Sequence, residues 1–381
     1  MKETFRKNSS RFAKNSQKGF SLLEMIVAIT IFLIVTGAVY GLLQIGRIDR
    51  NRSSRRSDML KNARTAIHLI GRDVLNAGLG FHRNGAIVPD NFISTRLGVP
   101  PDADTTRDTL TSLIAGNNLF QNNLNSDTTV RTDLVAFAYR DMSFNCFTAP
   151  GVACTDNQSG ETVSLTGVSA PTGSPTVARL ATQTGQAAAS SIYDLYLVES
   201  DSSQVAVMAT AVPGTSQIDI QPGDPLGLNQ PFNGAGVNGS LLKKCTTTIT
   251  EDCTTYAASV KRFYWVAYKV KDDGTLVRLI FGNNTGRPSD EQIREQPLVY
   301  GVQNLQFKYV LQNGTVTDNP SAGVDGIIGT TDDEPDDFNL IRQINITLQV
   351  QSTEIDEQTR KPAVITLNAT FSVRNMDYDA G

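Results

Sequence analysis

Polarity divides the first 80 residues into three stretches. Met1–Gly19 is basic, Phe20–Ile45 is apolar and uncharged except for Glu24, and the residues from Arg47 to Gly80 mix charges with a regular apolar spacing. The apolar run spans 26 residues, enough to cross a hydrocarbon layer of about 30 Å as a helix. No proline precedes residue 89, so the pattern predicts one helix from Phe20 to Ala77-Gly78, where glycine supplies a stop. Such a helix would be roughly 85 Å long at 1.5 Å per residue. In its second half Met59, Ala63, Ala66, Ile70, Val74 and Ala77 recur every three or four positions, one apolar stripe suited to lie on a sheet. Gly37, Gly41 and Gly46 fall within or at the end of the first half, as packing notches or as points of local melting.

The remainder reads as strands and loops. Residues 305–311, 344–350 and 365–373 alternate apolar with polar, predicting three strands with one buried face each, the pattern of an antiparallel sheet that needs a helix against it. A strand is expected at Asp133–Arg140, and a hairpin across Ile192–Val198 and Val205–Val212. Asp273-Gly274 separates the strand-like segments Phe263–Val270 and Leu276–Phe281, and Asn313-Gly314 follows the strand at Leu305, both turn signals. Ile87–Thr129, rich in Asn, Asp, Thr, Pro and Gly, and Gly151–Ser190, rich in Ser, Thr, Ala and Gly, read as long surface loops with little core of their own. The expected fold class is α+β: a long N-terminal helix whose second half packs on an antiparallel sheet with large loop insertions. The expected divisions are 1–19 (leader), 20–46 (membrane helix), 47–80 (amphipathic continuation) and 81–381 (β-rich domain).

Charge narrows the function. The 381-residue chain has a net charge of −4, of which the leader contributes +5, leaving a strongly acidic remainder. That balance argues against a general nucleic-acid binder, which needs Lys and Arg for phosphate contacts. The basic stretch Arg47–Arg56 sits just beyond the apolar run, where lipid headgroup phosphates or acidic neighbours are the better partners. Arg and Lys flank the run equally on both sides, so charge alone does not orient it. Four cysteines form two pairs, Cys146 with Cys154 and Cys245 with Cys253, each separated by seven residues. Each pair could close a short loop as a disulfide in an oxidising compartment, and four-cysteine zinc is the alternative; three pairings stay open.

The most informative residue is Glu24. A carboxylate in hydrocarbon is costly by a few kcal/mol, so its default reading is a functional group with a partner. The string Lys18-Gly19-Phe20-Ser21-Leu22-Leu23-Glu24 resembles the processing site of type IV prepilins and type II secretion pseudopilins. The resemblance implies that a prepilin peptidase cuts between Gly19 and Phe20 and methylates the new N-terminus of Phe20. It also implies that Glu24 pairs with a neighbouring subunit's N-terminus during filament assembly. A plain signal anchor is the alternative, but an ordinary signal is cut after its apolar run. Arg72-Asp73 followed by Ala77-Gly78 resembles the helix end of PilW-like minor pilins. The resemblance thus points to a PilW-like minor pilin, or a J-type type II secretion pseudopilin, with pilin-like fold. Its partners would be other minor and major pilins or pseudopilins, the prepilin peptidase and the inner membrane. The N-terminus would lie in the cytoplasm and the C-terminal domain in the periplasm before joining a pilus or pseudopilus.

Other candidates compete with structural readings. Asp325, Asp332, Asp333, Glu334, Asp336 and Asp337 lie among glycines, as a calcium loop or as a solvated acidic loop. His68 and His82 have no matched acid or nucleophile and read as surface groups. Phe263, Tyr264, Trp265 and Tyr268 could present a sugar-binding face, with sheet core as the structural reading. No Gly-x-Ser-x-Gly, His-Glu-x-x-His or phosphate-binding Gly-Lys-Ser/Thr string occurs. The expectation is therefore a non-enzymatic subunit requiring no cofactor, with initiation or tip position favoured by its large C-terminal domain and an adhesin or ligand-binding module on the same anchor as the competing class.

Overall fold

The computed structural model describes residues 19–82, 85–101, 107–125, 127, 129–144, 163–199, 204–232, 259–320, 338, 340–356 and 359–376. The chain forms two compact units, Met1–Arg55 and Arg56–Gly381. Helix α1 (Leu22–Asn76) begins in the first and ends in the second. In the first unit every residue from Gly19 to Arg47 is exposed, as expected of an apolar helix without its lipid or protein surroundings. It is the one helix among the described residues long and apolar enough to cross a membrane.

The second unit is mostly strand. Its first half holds β1 (Ala86–Ile87), the short helix α2 (Phe92–Leu97), β2 (Thr109–Leu110), β3 (Leu113–Gln121) and β4 (Arg131–Arg140). There follow β5 (Val163–Ser169), β6 (Ala178–Thr182), β7 (Leu195–Glu199), β8 (Gln204–Met208) and β9 (Gln217–Ile220). The last part holds β10 (Ser259–Val270), β11 (Leu276–Phe281), β12 (Ile293–Val299), β13 (Val302–Leu311), β14 (Val316–Thr317), β15 (Ile341–Ile355) and β16 (Pro362–Ser372). They make a twelve-stranded sheet around β10, which pairs with β4, β5, β7 and β11, and a four-stranded sheet in the order β14-β13-β15-β16. Apart from one parallel bridge between β1 and β8, every described pairing between named strands is antiparallel.

The alternating strands 305–311, 344–350 and 365–373 become β13, β15 and β16, and their apolar face carries the helix. Ala63, Ala66, Ile70, Val74 and Ala77 are buried with Leu305, Phe307, Ile344, Ile346 and Leu348 in one core. The same core takes Val135, Phe137 and Tyr139 of β4 and Val266, Tyr268 and Val270 of β10, so α1 rests on both sheets. Small side chains let it approach closely: a Cβ on Gly71 would collide with the Phe371 ring. The helix ends as predicted, with Gly78 in the left-handed region at φ 78° and its N–H donating to Ala138 O at 3.1 Å. Its start is two residues later than expected.

Two loop expectations fail in part. Residues 87–129 contain β3, a strand whose Leu113, Ile114 and Ala115 are buried, and 151–190 contain β5 and β6. The last two help build a separate core of Val163, Leu165, Val168, Leu180, Val198, Val207 and Ile218. These strands are short, small-residue or bulged: β3 shifts register between Gly116 and Phe120, so no sustained alternation marked them. The hairpin expected near 192–212 is β7–β8, and the Asp273-Gly274 turn joins β10 to β11.

Asp73, one turn before the helix end, is fully buried. Its Oδ2 accepts from Tyr268 Oη at 2.6 Å and from Arg278 Nε at 2.9 Å, and its Oδ1 from Tyr139 Oη at 3.2 Å. Arg278 Nη2 also lies 2.9 Å from Oδ2, while the half-exposed Arg72 reaches Oδ1 at 3.2 Å. Burial, and then the neighbouring Asp73 carboxylate, push both tyrosine hydroxyls well above their ordinary range, so both remain donors. Burial disfavours the Arg278 charge, but Asp73 together with Tyr268 and Tyr139 outweighs it, and the guanidinium is held above its ordinary range. A second buried acid, Asp133 of β4, accepts from Asn118 N at 2.8 Å and from Phe307 N at 2.7 Å, tying β4 and the β3 bulge to β13 of the other sheet.

Removing one partner of a buried ion pair costs about 3–5 kcal/mol. Asp73→Ala is expected to destabilise the full chain in detergent by that amount in urea unfolding, with Arg72→Ala losing less than about 1 kcal/mol. Equal effects of the two would contradict the assignment. Burial raises Asp133 to about 6, against the pull of its two backbone donors. The folded state therefore holds the proton more tightly than the unfolded state, so this group's contribution to stability grows as pH falls from 6 toward 4 and is lost as pH rises through 6. Relative to Asp133→Asn, the unmodified chain should gain up to about 3 kcal/mol between pH 7 and pH 4; a difference independent of pH would refute it.

Candidate processing and assembly site

Gly19, Phe20 and Ser21 precede the helix in a non-helical conformation, and Phe20 is 89% exposed. The bond between Gly19 and Phe20 thus lies in non-helical chain directly before the helix. Helix α1 starts at Leu22 for a local reason. Ser21 Oγ accepts from the backbone N–H of Leu23 at 3.3 Å, and Glu24 Oε2 accepts from the backbone N–H of Ser21 at 3.2 Å. This is the Ser-x-x-Glu pattern of a capping box, with the serine oxygen taking the N–H of the second helical residue rather than the third, and it satisfies two of the helix's unpaired donors. A serine cap contributes about 1 kcal/mol. Glu24, placed in the first turn, also faces the positive end of the helix dipole.

Sequence reasoning singled out Glu24 but missed Ser21, although Ser-x-x-Glu before an apolar run is a readable signal. The carboxylate was expected to need a partner from outside the chain, and the structure supplies one within it. The bond is weak at 3.2 Å and exposed, so Glu24 remains able to accept from a stronger donor such as an ammonium group. Downstream, Thr30 Oγ1 donates to Ile26 O at 2.8 Å, removing its polar group from the apolar surface. Built on Gly37, Gly41 or Gly46, a Cβ would meet nothing within 4 Å. Among the described residues no contact therefore uses these glycines.

Residues 14–40 match the family model described as the prokaryotic N-terminal methylation motif. The chain carries a prepilin-type motif. No curated protein matches it. The motif supports a type IV pilin-like or pseudopilin role and implies, in general terms, interaction with other pilins and with the prepilin peptidase. Together with the single apolar helix it suits a chain anchored in the inner membrane.

The remaining candidates separate clearly. Trp265, Phe263 and Tyr268 are buried, and Trp265 stacks on Phe281 with ring centroids 4.0 Å apart, so these rings are core and cannot form an accessible sugar platform. His68 is exposed on α1, as expected; His82 is half-buried, and its backbone N–H donates to Gln204 Oε1 at 3.1 Å. Cys146, Cys154, Cys245 and Cys253 lie outside the described residues, as do Asp325, Asp332, Asp333, Glu334, Asp336 and Asp337. Among the described residues no group of three or more His, Cys, Asp or Glu could hold a metal ion.

Proposed function

We propose that the protein is a PilW-like minor pilin that takes part in type IV pilus assembly, at initiation or at the tip, after a prepilin peptidase cuts between Gly19 and Phe20. The observation that carries this reading is a non-helical Gly19–Phe20 bond directly before a capped apolar helix with Glu24 in its first turn, within the residues that match the methylation motif. The leader stays in the cytoplasm and the β-rich domain faces the periplasm. Cutting frees the Phe20 amine, which the peptidase then methylates. The apolar helix leaves the bilayer for a bundle of like helices, where Glu24 exchanges its weak bond to Ser21 for a neighbour's N-terminal ammonium. A buried charge of this kind acts chiefly on register. The work is mechanical, with no catalysis and no required cofactor. The large second unit, Arg56–Gly381, favours a tip or priming position over a closely repeated shaft. A type II secretion minor pseudopilin shares every feature of the N-terminal segment and is the second reading.

Intact mass of the chain produced with and without a prepilin peptidase tests the proposal. The expected result is peptidase-dependent loss of Met1–Gly19, with a methyl group on Phe20. A chain that keeps its leader, or is cut after the apolar run, contradicts it.

A further inference from the structure

The edges of the two sheets are not treated alike. An open edge is a template for another strand, and proteins blunt edges with short strands, charges, proline or bulges. Strands β2 and β14 have two residues each and β9 four. Strand β12 carries Arg294, Glu295 and Pro297 and faces a register shift. The edge strand β3 is bulged, with Asn118 left-handed at φ 53°. Strand β16 opens with Pro362 and a register shift opposite Gln351–Ile355, but beyond them its pairing is unbroken from Val364 to Ser372, and the ten residues from Ala363 to Ser372 hold no charge and no further proline. Among the described residues β16 pairs with β15 alone.

Register defines what this edge offers. Val373 N donates to Arg342 O at 3.0 Å, and the pairing continues in step from Phe371 opposite Ile344 to Ile365 opposite Val350. Alternate residues of an antiparallel pair exchange both ladder bonds. Those at 365, 367, 369 and 371 therefore bond to β15. The backbone N–H and C=O of Val364, Thr366, Asn368, Thr370 and Ser372 point away from it, and all five residues are exposed. On the helix side Leu367, Ala369 and Phe371 are only half-buried, whereas Ile344, Ile346 and Leu348 on β15 are fully buried. One more strand with apolar residues at alternate positions would complete that row and pair the five free backbone positions.

The geometry points to the β16 edge as a strand-addition site for an uncharged, alternately apolar extended segment of a different pilin-like subunit. A second copy does not fit through its own β16. Two β16 strands paired antiparallel are related by a two-fold axis normal to the sheet. Such an axis reverses one copy relative to the other, and two subunits of a filament with a single polarity cannot be related in that way. Parallel pairing about a two-fold axis would set identical outward residues level, where a parallel ladder needs them staggered.

The inference rests on the filament-subunit reading. Its test is amide hydrogen exchange over residues 364–372 of the full processed chain. The chain is measured alone in detergent, at low and high concentration, and in the assembly purified from cells that also make the peptidase and the host's pilin-like subunits. The expected result is fast exchange at the five outward amides in the chain alone and at least about tenfold slowing in the assembly. Thr366→Pro, which removes an outward N–H without breaking a bond to β15, should abolish the slowing and weaken incorporation, while Thr366→Val preserves both. Unchanged melting of Thr366→Pro excludes misfolding as the cause, and a lowered melting point moves the test to Thr366→Lys, whose charge should have the same effect at this edge. Fast exchange in an assembly that contains the chain overturns the strand-addition site and leaves the filament reading intact. Slow exchange in the isolated chain, whether constant or rising with concentration, overturns it in favour of self-coverage or a second copy. A chain that is never processed or never joins an assembly overturns both readings.

Discussion

The β-rich unit is organised around a carboxylate shut away from water near the end of the long helix. Taking Asp73 and Arg278 out of water costs several kcal/mol for each ion, so the pair persists only because its geometry is nearly complete. Tyr139 of β4, Tyr268 of β10 and Arg278 of β11 converge on its two oxygens. Three adjacent strands thus each hold the same side chain. A hydrophobic stripe of alanines and isoleucines would allow the helix to slide or rotate by a residue at modest cost, because apolar attraction is non-directional. Hydrogen bonds to one carboxylate do not allow it. The helix is fixed in both rotation and height on the sheets, and the Gly71–Phe371 approach and the Gly78 turn follow from that placement.

One helix therefore carries two acids with opposite environments. Asp73 is completely satisfied within the chain, whereas Glu24 holds a single long bond to a backbone N–H two residues past the Gly19–Phe20 bond. A satisfied buried carboxylate gives rigidity, and a weakly held one gives exchangeability. A filament subunit of the kind proposed, which would keep its folded domain while its apolar segment passes from lipid to protein, needs both properties. The sheet edges add a third element, since among the described residues the other edge strands are shortened, charged or bulged, whereas 364–372 of β16 are not.

Much of this was legible in the residues. The apolar run, the 59–77 stripe, the Gly78 stop and strands β13, β15 and β16 all show an unbroken period, and period is what an amphipathic surface must have. The motif at 18–24 was readable because its chemistry is local. Strands β4 and β10 were only half readable: both faces are buried, one under α1 and the other against Phe92, Leu97 and Phe281, which removes the polar alternation. Strands β3, β5 and β6 look like loops in the sequence because bulges, threonines and glycines conceal their faces. Asp73 stood out in sequence only as half of an Arg-Asp pair, and the exposed Arg72 is its minor partner. Its real partners lie 66 to 205 positions away, a separation no local pattern reveals. The Ser21 cap is legible, since it is written within four residues.

The most direct test of the filament account separates processing from assembly at Glu24. Glu24→Ala would be produced with the prepilin peptidase and the other pilin-like subunits, and both its mass and its share in purified assemblies measured. The account predicts a chain that loses Met1–Gly19 as the unmodified protein does but is largely excluded from assemblies. A variant processed and incorporated at the unmodified level would contradict it.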